Sequence, residues 1–204
     1  MKIFLTGATG FVGSHLLRRL VNEMHARNYQ APLGSVSFPV LIASSFDNKV
    51  KQMLQDGGRA ILIANDRQTL APGLEILPRA GSDLDGNWIS SFLWVRKDRE
   101  PFKRFPFPTL PGFETQAVTP SAVVDGVPPE HFADVLSGLF YGWIHKNVGT
   151  LVQARYGKGK LLICTFSVGT TYGKDPYATA FVDALVNYAV SDFAPGYEIP
   201  ATRQ

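Results

Sequence analysis

One cysteine in 204 residues, Cys164, excludes an internal disulfide. Charged residues are scarce at 18%, yet hydrophobic residues reach 45%, a balance that excludes a disordered chain. No apolar run approaches the ~20 residues that a membrane-spanning helix needs. The opening apolar run, Lys2 to Thr6, is too short for a signal peptide and leads into glycines rather than a cleavage site. Excess positive charge is small, with a formal net charge of +3. Its one local cluster, Arg96 to Arg104, is broken by Asp98, Glu100 and Pro101, the pattern of a solvated loop rather than a nucleic-acid surface. The expectation is a soluble, cytoplasmic protein of one ordinary domain with no nucleic-acid or membrane partner.

What the chain does have is a glycine-punctuated start. Lys2 to Thr6 has strand character, and from Phe11 the apolar residues Val12, Leu16, Leu17, Leu20, Val21 and Met24 keep to one helical face. Gly7, Gly10 and Gly13 lie between or just inside. A strand entering a helix through such a loop turns free backbone N–H groups toward one point at the positive end of the helix dipole, which suits a phosphate.

Strand and helix signals then alternate. Pro39 to Ala43 and Ala60 to Ala64 are continuously apolar, as strands covered on both faces would be. Between them Asp47 can cap a helix carrying Val50, Met53 and Leu54, which Gly57 and Gly58 end. From Asn65 to about Gly149 the chain is rich in proline, glycine and aromatics and reads as an irregular insertion packed on a sheet. It holds a strand over Ile89 to Val95 and a helical turn followed by a strand over Val135 to Ile144. Thr150 to Arg155 and Lys160 to Phe166 flank Tyr156-Gly157-Lys158-Gly159 and predict a β-hairpin. Asp175-Pro176 starts a helix with Phe181, Val182, Leu185, Val186 and Ala189 on its buried stripe, and the tail from Phe193 reads as coil.

The expected fold is therefore α/β. It is a single three-layer domain over residues 1–200 with a mainly parallel, Rossmann-like or flavodoxin-like sheet, plus a C-terminal β-hairpin and helix, and with residues 201–204 as a tail. Within it, residues 1–27 form a first β-α unit and residues 38–200 the remainder.

Residues 1–21 resemble the start of an NAD-dependent epimerase/dehydratase, an extended short-chain dehydrogenase. The resemblance rests on Gly7-Ala8-Thr9-Gly10-Phe11-Val12-Gly13. It implies that these seven residues bind NAD(P), with Gly13 letting the helix approach the sheet and a nucleotide sugar as the ligand class. That family also needs a Tyr-x-x-x-Lys pair on one helical turn, where the lysine lowers the tyrosine pKa. Tyr156 and Lys160 have the spacing, but across hairpin residues that do not share a helical face. The acid expected near the end of the second strand to hold the ribose hydroxyls is replaced by Ser44-Ser45, and Asp47 fits a helix cap.

Residues 38–200 resemble the glutamine-amidotransferase-like C-terminal domain of family 2 glycoside hydrolases of the β-galactosidase kind. The segments that carry this are Gly81-Ser-Asp83, Gly86 to Phe92, Asp134 to Gly138, Gly142-Trp143, Arg155 to Lys160 and Thr165-Phe166. The resemblance implies a non-catalytic accessory domain, because the carboxylate pair of such enzymes sits on a separate barrel. The amidotransferase relatives use a cysteine on a strand-to-helix elbow, whereas the third strand here runs into Asn65-Asp66. Cys164 falls inside a hairpin strand and reads as a small buried hydrophobe.

No catalytic or metal-binding residue is assigned. His131 and His145 have no partner that sequence can name. Asp83-Leu-Asp85-Gly-Asn87 lacks the later bidentate acid of a calcium loop, and Asp83, Asp85 and Asp134 are carboxylates with no fixed separation. Trp88, Trp94 and Trp143 are either core aromatics or sugar-stacking surfaces. Three readings stay open: the non-catalytic accessory domain, an NAD(P)-binding epimerase-like protein, and a carbohydrate-binding or partner-docking module.

Overall fold

The structure is a computed structural model that describes residues 3–5, 40–78, 91–108, 111–141 and 146–200. Its strands are β1 (Ile3–Leu5), β2 (Val40–Ala43), β3 (Arg59–Ile63), β4 (Gln68–Ala71), β5 (Leu74–Pro78), β6 (Ser91–Val95), β7 (Ala122–Asp125), β8 (Val135–Tyr141), β9 (Lys146–Tyr156) and β10 (Gly159–Cys164). Helix α1 (Asn48–Gln55) joins β2 to β3, and α2 (Pro176–Val190) follows β10. No helix among the described residues is long and apolar enough to cross a membrane.

All ten strands belong to one sheet, ordered β1-β2-β3-β10-β9-β7-β5-β4, with β8 also on β9 and β6 on β8. Three pairings are parallel, β1 with β2, β2 with β3 and β3 with β10. Six are antiparallel. The expected mainly parallel, three-layer Rossmann-like or flavodoxin-like sheet is thus overturned: the sheet is mixed, mostly antiparallel and curled, with few helices among the described residues.

The hairpin causes the change. Gly157 takes a positive φ of 59°, and the chain reverses so that β10 lies parallel to β3 while β9 runs antiparallel to β10. At 11 residues, β9 is longer than the 6-residue β10. Leu151 and Val152 pair with β10 on one edge and β8 on the other, and Gly149 pairs with β8 on one edge and Val124 of β7 on the other. Beyond the end of β10, then, β9 carries a second, wholly antiparallel wing. The hairpin expected as a C-terminal addition is the middle of the sheet. The stretch expected as an irregular insertion supplies β4 to β8. Val135 to Tyr141 is strand from its first residue, after a 3-10 turn over Pro129–Asp134.

Helices form where caps and stripes coincide. The Asp47 carboxylate accepts the Val50 N–H at 2.9 Å, and α1 buries Val50 and Leu54. Gly57 and Gly58 then donate back to Leu54 and Met53, with Gly57 at φ 93°. Asp175 accepts the Ala178 N–H at 2.7 Å with Pro176 in the first turn. At the other end of α2 the Arg59 guanidinium donates to the carbonyls of Ala189 at 3.1 Å and Val190 at 2.7 Å, and to that of Ser191.

Each helix covers one face of the sheet, which explains the unbroken apolar strands. Val40 and Ile42 point to the α2 face, where Phe102, Phe107, Phe166 and Phe181 interlock. Leu41 and Ala43 point to the α1 face with Leu54, Leu161 and Ile163. A phenylalanine buried this fully contributes roughly 1.5–3 kcal/mol over an exposed one.

Candidate functional site

Parallel strands end at a common edge, and in α/β sheets ligands gather there. Leu5 pairs with Ile42, Ala43 with Leu62 and Ile63 with Cys164, so β1, β2, β3 and β10 all run out on the same side. Ser44 and Ser45 after β2 and Asp66 after β3 are exposed. The amides among them are occupied in joining strand ends. Asn65 Nδ2 donates to the Thr165 carbonyl at 2.8 Å. Gln68 Nε2 donates to the Ser44 carbonyl at 2.8 Å while its Oε1 accepts the Phe46 N–H at 2.9 Å. The predicted nucleotide loop, Gly7, Ala8, Thr9, Gly10, Phe11, Val12 and Gly13, lies outside the described residues, as do Asp83, Asp85, Trp88, Trp143 and His145.

Tyr156 and Lys160 sit on opposite arms of the hairpin, Tyr156 opposite Gly159 and Lys160 opposite Arg155. Tyr156 is buried on the α1 face, edge-on to Phe46 at 5.3 Å between ring centroids. The Lys160 ammonium lies at the C-terminal end of α2, 2.7 Å from Asp192 and over the Phe193 ring at 5.5 Å. Hydrogen bonding from that ammonium, followed by its charge, lowers the Asp192 pKa. The hairpin gives the two side chains different neighbourhoods rather than one helical face.

Cys164 is fully buried against the α2 face, and desolvation pushes its thiol up to about 12. That is the opposite of the depressed pKa a nucleophilic thiolate needs. Asp134 is also buried, and its carboxylate is well supplied with donors. Gln153 Nε2 donates at 2.7 Å, and the N–H groups of Gly196 and Tyr197 donate at 3.0 Å and 2.7 Å. The Tyr188 hydroxyl donates to Gln153 Oε1 at 2.5 Å, and burial pushes that phenol up to about 12. The His131 ring packs on Tyr197 at 5.0 Å. This network closes the chain on itself, holding the tail that sequence read as coil beside β9.

Of the aromatic surface at β6, sequence reasoning named Trp94 and missed Phe92 and Phe132. Phe92, 61% exposed, is directly opposite Phe140, and Trp94 is opposite Gly138. A Cβ built on Gly138 would lie 2.6 Å from the Trp94 ring, so the indole covers that glycine. Phe132, 47% exposed, packs on Trp94 at 5.3 Å, and the Arg96 guanidinium sits 5.5 Å from the Phe132 centroid on a side chain that also donates to the Phe132 carbonyl at 3.3 Å. The period-two run Phe92-x-Trp94-x-Arg96 was a visible signal. The exposure of Phe92 was not, because Leu93 and Val95 are apolar as well.

Residues 143–203 match the profile of a family described as a domain of unknown function, DUF8487. The matched stretch contains β9, β10 and α2, under a third of the chain. No curated protein matches the chain.

Proposed function

We propose that this chain is a non-catalytic accessory domain that acts by binding, of the kind attached to family 2 glycosidases. The observation that carries the reading is how the chemically capable groups are placed. Tyr156 is in one core and Lys160 at the far end of α2, Cys164 is desolvated, and Asp134 accepts three donors of its own chain. Unused surface, by contrast, is aromatic: Phe92 and Phe132 stand out beside Trp94. A partner protein or a carbohydrate is the ligand class such a surface suits. The cytoplasm is the compartment this reading assumes.

The test is to incubate the purified chain with aryl glycosides and, separately, with NAD or NADP and nucleotide sugars. Released phenol and nicotinamide absorbance are expected to stay at the buffer rate. Turnover that tracks the protein concentration overturns the reading.

A second reading, NAD(P) or nucleotide-sugar binding at the carboxyl edge, is favoured by one observation. β1 runs parallel to β2 in the register Ile3 to Val40, so the chain leaves Leu5 at that edge. A rise in Tm with NAD(P), by RT ln(1 + [L]/Kd) in stability, would support it.

A further inference from the structure

We infer that the outer edge of β6 receives an extended, acidic segment of a partner protein, added as a further strand. Arg96 N–H donates to the Leu136 carbonyl at 2.9 Å, one step beyond the pairing of Val95 with Ser137. Hydrogen-bonded and non-hydrogen-bonded pairs alternate in an antiparallel ladder. Phe92 and Trp94 therefore bond toward β8, and the N–H and C=O groups of Leu93 and Val95 point away from it. Among the described residues no strand takes that edge. Soluble proteins guard an open edge with a lysine, a proline or a bulge. Ser91-Phe92-Leu93-Trp94-Val95 has no charge or proline, and its pairing to β8 is regular throughout.

The side chains and charge say what kind of strand fits. Phe92 is exposed beside half-buried Trp94, so a partner side chain at alternate positions meets aromatic surface. The strand leads into residues 96–104, which hold five cations, Arg96, Lys97, Arg99, Lys103 and Arg104, and two acids, Asp98 and Glu100. Asp98 lies between Arg96 and Arg99, and Glu100 pairs with Arg104. Lys97 and Lys103 are exposed and outside these ion pairs. A saccharide would use the rings and leave the directed backbone groups to water. A strand with carboxylates at one end uses all three features.

The inference rests on the reading that the chain acts by binding, and its test is separate from the turnover assays. The probe is a fluorescent ten-residue peptide of alternating Thr and Val that begins with two glutamates, so that antiparallel addition sets them beside residues 96–104, titrated against the full chain by anisotropy. Saturable binding is expected. N-methylation of the alternate residues that would face β6 should weaken it about tenfold. Lysines in place of the glutamates, or added salt, should weaken it too. Phe92→Lys and Lys97→Glu change exposed side chains, so both should lose binding at an unchanged Tm. Absence of binding at millimolar peptide, or equal binding of the N-methylated peptide, overturns the proposal. So does sedimentation as a dimer that Phe92→Lys dissociates, which would give the edge to a second copy. Turnover in the enzyme assays would overturn the binding role and leave the peptide result standing.

Discussion

The carboxylate of Asp134 accepts the backbone N–H of Tyr197 at 2.7 Å across 63 residues of chain. Asp134 ends the turn before β8, and Tyr197 belongs to the tail, whose residues 197 and 199 exchange backbone hydrogen bonds with Arg155 of β9. One buried side chain thus holds the tail to the antiparallel wing. Asp134→Ala leaves the Gly196 and Tyr197 N–H groups and Gln153 Nε2 without their acceptor. Gln153 and Tyr197 are buried while Gly196 is exposed, and each buried donor left unsatisfied costs about 1–3 kcal/mol, so the variant should lose about 2 kcal/mol or more in urea denaturation. Equal stability would mean that the backbone bonds to Arg155 and the apolar contacts of the tail suffice to hold it.

Two glycines distinguish steric from conformational demand. A Cβ on Gly159 would lie 2.4 Å from the Leu54 carbonyl oxygen and 2.6 Å from its Cα, backbone atoms that cannot swing aside. Gly159→Ala should therefore cost about 2 kcal/mol by overpacking α1 against the hairpin. Gly73 has nothing within 4 Å of the same position but a φ of +77°. Gly73→Ala should cost only the left-handed backbone penalty, about 1 kcal/mol. The order of the two thermal shifts checks this, and a larger loss at Gly73 would contradict it.

Arg59 is the C-terminal cap of α2. Losing three carbonyl contacts, Arg59→Ala should lower stability by about 1–2 kcal/mol. Asp192→Ala, which removes only an exposed partner of Arg59 and Lys160, should leave Tm unchanged. Equal losses from both variants would make the ion pair, rather than the carbonyl cap, the source of the stability.

Alkali should destabilise the fold. Cys164 is raised from 9.0 to about 12, and Tyr177 and Tyr188 are raised from 10.0 to about 12, all chiefly by burial. Above pH 9 the unfolded chain gives up these protons while the folded chain keeps them. The unfolded state then binds fewer protons, and stability falls as pH rises toward 12. Urea midpoints should drop between pH 8 and pH 10.5, and less steeply in Cys164→Ala. Cys164 should react with a thiol reagent in the native protein only as fast as the chain opens.

What sequence determined by itself was local. The Asp47 and Asp175 caps, the apolar runs that became β2 and β3, and the glycine reversal after Tyr156 are written in adjacent residues, and each acts over a few positions. Pro72-Gly73, proline followed by a glycine at positive φ as a type II turn requires, was legible too. It lies inside the Asn65 to Gly149 stretch, whose composition reads as irregular chain, and that reading hides β4 and β5. Only the tertiary structure decided the rest. Whether a hairpin ends a sheet or sits in its middle depends on which strand takes its free edge. β10 takes β3 across a separation of about a hundred residues, and no local signal records that choice. The same holds for function. Tyr156 and Lys160 share a spacing with a catalytic pair but not a helical face, and Phe92 looks like a core residue until β6 proves to be an edge strand among the described residues.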